Sequence, residues 1–402
     1  MPKSKKLQQI TGNLILGLSG AIVALIIGEI ALRIMQISYP SFYQADPYRG
    51  HALIPGISGW WKHEGKAWVS VNKDGLRDKD YAKEKPQNTL RIAVIGDSFA
   101  EAIQVNEEQT FWSLIENKLP QCQKFQQQNI EVINFGVGDY GTAQEYMTLK
   151  HHVSQYSPDL VVLAVFTGND IINNSKQLSP EDRFSPFLIK QDGKYVFDLS
   201  FKNTKTYEWR NSIPRKAAFY IINNSHILQL INETRVALKN RRQLLGNEAK
   251  NDSNSLVNYL DFNPELYKKN DKNWQEAWNV TEELIRLIQQ QTKSINSDLL
   301  VVTLSNPAQV YPDPSLRDQY FDKAEISDQF YPDKRIANLG KKEGFEVLTL
   351  APLFQDYADS NKSFLHGFEN TIMGSGHWNQ LGHKLAGEVI SDHICFSQDN
   401  IQ

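Results

Sequence analysis

An alternation of short apolar runs with helical stretches between residues 91 and 166 most constrains what this chain can become. Residues 91–95, 130–135 and 160–166 read as buried strands, and residues 107–119 and 142–156 between them read as helices. A strand, helix, strand order calls for right-handed crossovers and a parallel sheet buried between two helix layers. The alternation resumes late in the chain. It gives a helix over 274–295, a strand over 299–304, a helix near 334–342, a strand over 346–350, and a last helix that turns Leu381, Leu385, Val389 and Ile390 to the core. The helix over 142–156 is expected to open on a capping box, Thr142-Ala143-Gln144-Glu145.

In such a sheet, reactive groups belong in the crevice beyond the carboxyl ends of the strands. Three segments fall there: Gly96-Asp97-Ser98-Phe99, Asn134-Phe135-Gly136-Val137-Gly138-Asp139-Tyr140-Gly141, and Thr167-Gly168-Asn169-Asp170. A fourth, Gly376-His377-Trp378-Asn379, precedes the last helix. A serine hydroxyl is a weak nucleophile until a base takes its proton, so Ser98 and His377 need only meet in the fold. Taken singly, Ser98 also reads as a helix N-cap and Asn169-Asp170 as a turn. Those readings leave the His377 segment unexplained.

With its four blocks in order, the chain resembles the SGNH/GDSL hydrolase superfamily over roughly residues 90–170 and 298–393. The resemblance implies a flavodoxin-like three-layer α/β/α sandwich with a central parallel sheet. It also implies Ser98 as nucleophile, His377 as base, and an oxyanion hole of the Ser98 N–H, the Gly138/Asp139 turn and the Asn169 amide. Three positions depart from the family pattern. Thr167 stands where the third block usually begins with Gly, and Asp139 stands where the second block usually has its oxyanion-hole Gly. Gly374 stands three residues before the His, where the family usually carries the acid that orients the imidazole. Two substitutes for that acid are open: a backbone carbonyl accepting from Nδ1, leaving a Ser-His dyad, or Glu369 folding back from the preceding loop. Gly374 is also what a retired, non-catalytic pocket would show.

The N-terminus departs from the average composition. The basic stretch Met1-Pro2-Lys3-Ser4-Lys5-Lys6 precedes an apolar run over residues 10–28, close to the roughly 20 residues that span a bilayer as a helix. We expect a cytoplasmic tail over 1–9 and an uncleaved signal anchor over 10–35, under the positive-inside rule. The rest of the chain is expected on the far side of the membrane, with Glu29 and Arg33 pairing at its surface. Residues 36–87, rich in Gly, Pro, aromatics and charge, read as a connector packing short strands on a catalytic domain over 88–395. Trp60 and Trp61 in it read as buried linker aromatics or as a sugar platform. An insertion at about 175–271 carries a hairpin signal around Asp192-Gly193, a polar helix over 226–245, an Asn/Ser/Asp-rich loop and the basic cluster Lys239-Asn240-Arg241-Arg242. Cys122 and Cys395 form one disulfide or stay as two buried thiols.

A formal net charge of −3 over 402 residues gives no pull toward nucleic acid. No paired cysteine ligands, HExxH or phosphate loop calls for a metal, nucleotide or other cofactor. The expected function is a serine-dependent esterase with an acyl-enzyme intermediate, acting on an acylated carbohydrate or lipid of the cell envelope. Two alternatives stand beside it: an O-acyltransferase modifying an extracytoplasmic polysaccharide, and a glycan-binding protein on a degenerate fold.

Overall fold

The computed structural model describes residues 2–180, 183–248, 263–267 and 271–397. The Asn/Ser/Asp-rich loop lies outside the described residues, and so do the side chains of Asn240, Arg241 and Arg242.

The chain opens with α1, Pro2–Ile34, of which Gln8–Ile34 is long and apolar enough to cross a membrane; its residues are exposed up to the last turns, where Gly28, Glu29 and Leu32 are half-buried. Two small antiparallel hairpins follow, Tyr43–Asp46 with Gly50–Leu53 and Ser58–Trp61 with Ala67–Ser70. They pack on the main domain through a small core that includes Phe42, Leu53, Val69, Ile103, Val137 and Tyr140.

The main domain is one five-stranded, all-parallel sheet. Its strands are β1 (Thr89–Gly96), β2 (Asn129–Asn134), β3 (Leu160–Phe166), β4 (Asp298–Leu304) and β5 (Glu346–Thr349). They lie in the order β2-β1-β3-β4-β5, the flavodoxin-like arrangement, whose switch point falls between β1 and β3. Every residue of β3 is buried, as a strand covered on both faces requires. The two-residue period of a strand sends alternate side chains into two cores. Ile92, Val94, Val162 and Val302 point to one side, and Ala93, Ile95, Val161 and Val301 to the other.

The helices divide between these faces. After β1 comes α2 (Phe111–Lys118), and after β2 comes α3 (Thr142–His151). Gly141 rather than Thr142 caps α3, because the Gln144 side chain reaches back to accept the Gly141 N–H. The insertion contains a hairpin, Phe187–Gln191 with Lys194–Asp198, whose Asp192 and Gly193 both take positive φ. The helices α4 (Ile213–Asn224) and α5 (His226–Glu248) follow it. The core resumes with α6 (Lys272–Ser294), capped by Asp271, which accepts from the N–H groups of Asn273 and Trp274. Its stripe of Trp274, Trp278, Thr281, Ile285 and Ile288 is buried against β3 and β4, and Ile285→Ala is expected to cost about 2–5 kcal/mol. Then come α7 (Tyr331–Glu343), α8 (Ala351–Asn361) and α9 (Gln380–Phe396), the last capped by Asn379. Helices α2, α8 and α9 cover one face, and α3, α6 and α7 the other. A disulfide joins Cys122 to Cys395 and ties α9 to the segment after α2.

Candidate active site

Ser98 sits where β1 runs out. Asp97 accepts the Phe99 N–H and so starts a one-turn helix, Ser98–Glu101, at the carboxyl edge of the sheet. The turn is drawn tightly against β2: a Cβ on Gly136 would lie 2.5 Å from the Ala100 Cβ. His377 arrives from the other end of the chain, just before the cap of α9. Its Nε2 is 2.7 Å from the Ser98 Oγ.

The acid expected near Gly374 comes from the connector. Glu64, in the turn between the strands Ser58–Trp61 and Ala67–Ser70, accepts the His377 backbone N–H on Oε1 at 2.7 Å and the Nδ1–H on Oε2 at 2.5 Å. Glu369 is exposed, and no backbone carbonyl takes the Nδ1–H, so both substitutes foreseen from the sequence are corrected. The room for Glu64 is made by a glycine. Gly376 has φ of +73°, and a Cβ there would stand 2.2 Å from the Glu64 Oε1. Any side chain at 376 would be strained and would push the acid out.

The Glu64 turn is itself held. The Trp61 indole N–H donates to the Glu64 carbonyl at 2.9 Å. Asn370 accepts the Gly65 N–H and donates to the carbonyls of Gly65 and Lys62. Trp61 therefore shapes the acid's turn and does not line the cleft around Ser98. Trp60 packs edge-on against Trp68, also away from that cleft.

With Glu64 accepting at Nδ1, the imidazole proton belongs on Nδ1 and Nε2 is left as the acceptor for the Ser98 hydroxyl. Burial acts to lower the His377 pKa. The hydrogen bond and charge of Glu64, with Asp97 and Glu101 farther off, outweigh burial and raise it above the ordinary value. Glu64 shows the converse: burial acts to raise its pKa, and His377 brings it below the usual carboxylate range.

Facing Ser98 across a cleft of about 510 Å³ are Asp139 and Asn169. Asp139 has φ of +63°, a left-handed conformation that glycine adopts freely and Asp tolerates better than most residues. Arg183 takes both the Asp139 carboxylate and its carbonyl. The N–H groups of Ser98 and Asp139 donate to no protein acceptor among the described residues. Gly138 differs: its N–H donates to the Glu101 Oε2 at 3.0 Å and is not turned to the cleft. Asn169 stands just before the short helix Asp170–Asn173 beyond β3, where its side chain makes no capping hydrogen bond, and lines the cleft. Thr167, at the other departure, is buried beside it.

Behind Ser98 lies a group of carboxyls that the sequence pattern did not single out. Asp97, Glu145 and Asp170 are completely buried. Burial pushes Asp97 up to about 6, against the Phe99 N–H, His377 and the Asn169 amide. Burial and mutual repulsion hold Glu145 and Asp170 well above their usual range. Glu145, read from the sequence as part of a capping box, thus belongs to the underside of the site. Glu101, bonded by the Tyr43 hydroxyl and the Gly138 N–H, is raised by burial to about 7.

Neither a protein-family model nor a curated protein matches this chain. Among solved structures, it is similar to a protein described as lipolytic and of the G-D-S-L family from Desulfitobacterium hafniense DCB-2, at 12% identity and a TM-score of 0.35, covering 75% of this chain and 98% of that one. It is similar to the acetyl xylan esterase AlAXEase at 12% identity and a TM-score of 0.37, covering 76% and 99%. A third is a catalytic mutant of Axe2, an acetylxylan esterase from Geobacillus stearothermophilus, at 10% identity and a TM-score of 0.37, covering 78% and 97%.

Proposed function

We propose that this protein is a serine-dependent esterase that cleaves O-acyl esters through an acyl-enzyme. The observation that carries the reading is the continuous hydrogen-bonded line from Glu64 through His377 to Ser98. Ser98 donating to His377 and His377 donating to Glu64, all three half-buried, have the geometry of an activated nucleophile. His377 takes the Ser98 proton as Oγ attacks the ester carbonyl, and Glu64 stabilises the imidazolium that forms. The oxyanion is held by the N–H groups of Ser98 and Asp139 and by the Asn169 amide, each typically worth a few kcal/mol in the transition state. Collapse expels the alcohol, which takes its proton from His377. Water, activated by the same histidine, then releases the acid. A sugar hydroxyl in place of that water would make the enzyme an O-acyltransferase.

Glu64 also removes the motive for a retired pocket, since the empty position at Gly374 has its acid from elsewhere. The substrate class we propose is an acylated carbohydrate or lipid of the cell envelope. The support for it is the resemblance of the four motifs and the apolar helix α1, read as a membrane anchor with a short cytoplasmic tail. An extracytoplasmic catalytic domain accords with the Cys122–Cys395 disulfide, a bond that persists in oxidising compartments.

The test is release of p-nitrophenol from p-nitrophenyl acetate by the full chain in detergent, beside Ser98→Ala and His377→Ala. We expect turnover in the parent and none above background in either variant. Equal rates in all three would sink the esterase reading.

A further inference from the structure

Helix α4 is unusual for a helix in a folded domain, because none of its 12 residues is buried. Ile213, Ala217, Tyr220 and Ile221 fall at i, i+4, i+7 and i+8, one face of the helix. Ile213 is 83% exposed, Tyr220 69% and Ile221 59%, and Trp209, just before the helix, is 59% exposed. Single apolar side chains are exposed elsewhere, such as Leu353 and Ile372, but here several share one face of one helix with no residue of it buried, and such a patch marks an interaction surface. Beside it are Arg210, Arg215 and Lys216. They line a cavity of about 850 Å³ between the insertion and the connector, together with Arg33 and His226.

The position of this face is fixed by the end of α1. Glu29 accepts the N–H groups of His226 and Ile227 at 3.0 and 3.1 Å and the Ser225 hydroxyl at 3.1 Å. Arg33 donates to the Asn224 carbonyl at 2.5 Å, and the Ile227 side chain rests on Gly28. The junction of α4 and α5 is thereby pinned to the last apolar turn of α1. Roughly 20 residues of helix cross the hydrocarbon core, and the run from Ile10 ends at Gly28. Glu29 and Arg33, and with them the C-terminal end of α4, therefore stand at headgroup depth on the anchored reading. Exposed Trp, Tyr and Ile on one side with Arg and Lys beside them are what a helix lying in that layer carries.

We propose that α4 and the end of the short helix before it, Lys205–Asn211, lie in the headgroup layer of the membrane that α1 crosses. Trp209, Ile213, Tyr220 and Ile221 enter its apolar edge, and Arg210, Arg215 and Lys216 bind the phosphates of anionic phospholipids at the mouth of the cavity. This rests on the anchored reading of α1. It goes beyond that reading by making the insertion a second membrane contact.

The two cysteines are paired, so a single introduced cysteine can carry a spin label. The full chain, in nanodiscs of phosphatidylcholine with or without phosphatidylglycerol, is labelled in turn at Ile22→Cys, Ile213→Cys, Ile221→Cys and Lys342→Cys. Collision with oxygen and with a water-soluble nickel chelate is then read by power saturation. We expect oxygen-to-nickel ratios at residues 213 and 221 several-fold above that at 342, and higher still with phosphatidylglycerol. Adding Arg215→Glu and Lys216→Glu should abolish the phosphatidylglycerol dependence, and an unchanged dependence would overturn the headgroup assignment. Ratios at 213 and 221 equal to that at 342, with Ile22 deep, would overturn the inference and leave the anchor standing. An aqueous Ile22 would remove both. Labels at 213 and 221 shielded from both reagents would mean that protein covers the stripe, and would also overturn it.

Discussion

Replacing Glu64 by Gln tests whether it serves as the acid of the proposed mechanism. The Glu64 carboxylate meets two donors, the His377 backbone N–H and the Nδ1–H. A glutamine has one oxygen and one NH₂ in the same places. The backbone donor cannot change, so it keeps the oxygen, and the NH₂ then faces Nδ1. The imidazole answers by moving its proton to Nε2, where an N–H confronts the Ser98 hydroxyl and cannot accept its proton. The corresponding change in a well-studied serine triad costs about 10⁴ in turnover. We expect a loss of about 10³ to 10⁴ in kcat for Glu64→Gln, or roughly 4–5.5 kcal/mol at 1.36 kcal/mol per tenfold. Glu369→Gln should leave the rate unchanged. The pH profile supplies a second readout. Activity needs neutral His377, whose pKa Glu64 raises, so the acidic limb of kcat/KM should lie above the ordinary histidine value in the parent and move to lower pH in Glu64→Gln. Thermal melts establish that each variant is folded. A Glu64→Gln enzyme within a few-fold of the parent, or an acidic limb that does not move, would refute the assignment.

Three further expectations follow from the same geometry. Asn169→Ala should lower kcat by about 10² to 10³ with little change in KM, as loss of one oxyanion donor does; a KM effect alone would mean that Asn169 binds substrate and does not stabilise the transition state. Asp139→Gly should keep activity within a few-fold, because the position supplies a backbone N–H at positive φ, whereas Asp139→Val should lose it; equal activity in both would refute that role in the same ester assay. Glu101, raised from 4.5 to about 7 by burial, holds its proton in the folded state over a range where the unfolded chain has released it. Its contribution therefore makes the fold less stable as pH climbs from about 4.5 to 7, by up to ~3 kcal/mol. Glu101→Gln should accordingly gain on the parent in thermal melts at pH 8 relative to pH 4.5, and a constant difference would count against it.

The layered fold was legible because its signals are local. Runs such as Leu160–Phe166 are apolar throughout, and a strand buried on both faces has to be. The serine and asparagine blocks were legible because each sits at the end of such a run, and the histidine block because it heads the last helix. Glu64 was not. It lies 313 residues from His377, in the charged stretch Lys62-His63-Glu64-Gly65-Lys66, which has neither period nor motif and reads as solvated surface. The one hint was negative: glycines at 374 and 376 leave a space that the sequence alone cannot fill. Glu145 was misjudged for the opposite reason, since a polar residue in the first turn of a helix is normally explained by the cap. Gly138 was named with Asp139 because spacing cannot tell which of two neighbouring amides a buried carboxylate, Glu101, will claim.

The provenance of the three residues also sets an order in time. The ribosome delivers Glu64 first, Ser98 soon after, and His377 only when nearly all of the sheet has been made. A chain caught before that point has a serine and an acid but nothing to pass a proton between them. Cys395 comes later still, so the disulfide cannot close before all three residues have been made. On the proposed chemistry, such a protein is inert until His377 has been made and has reached Ser98.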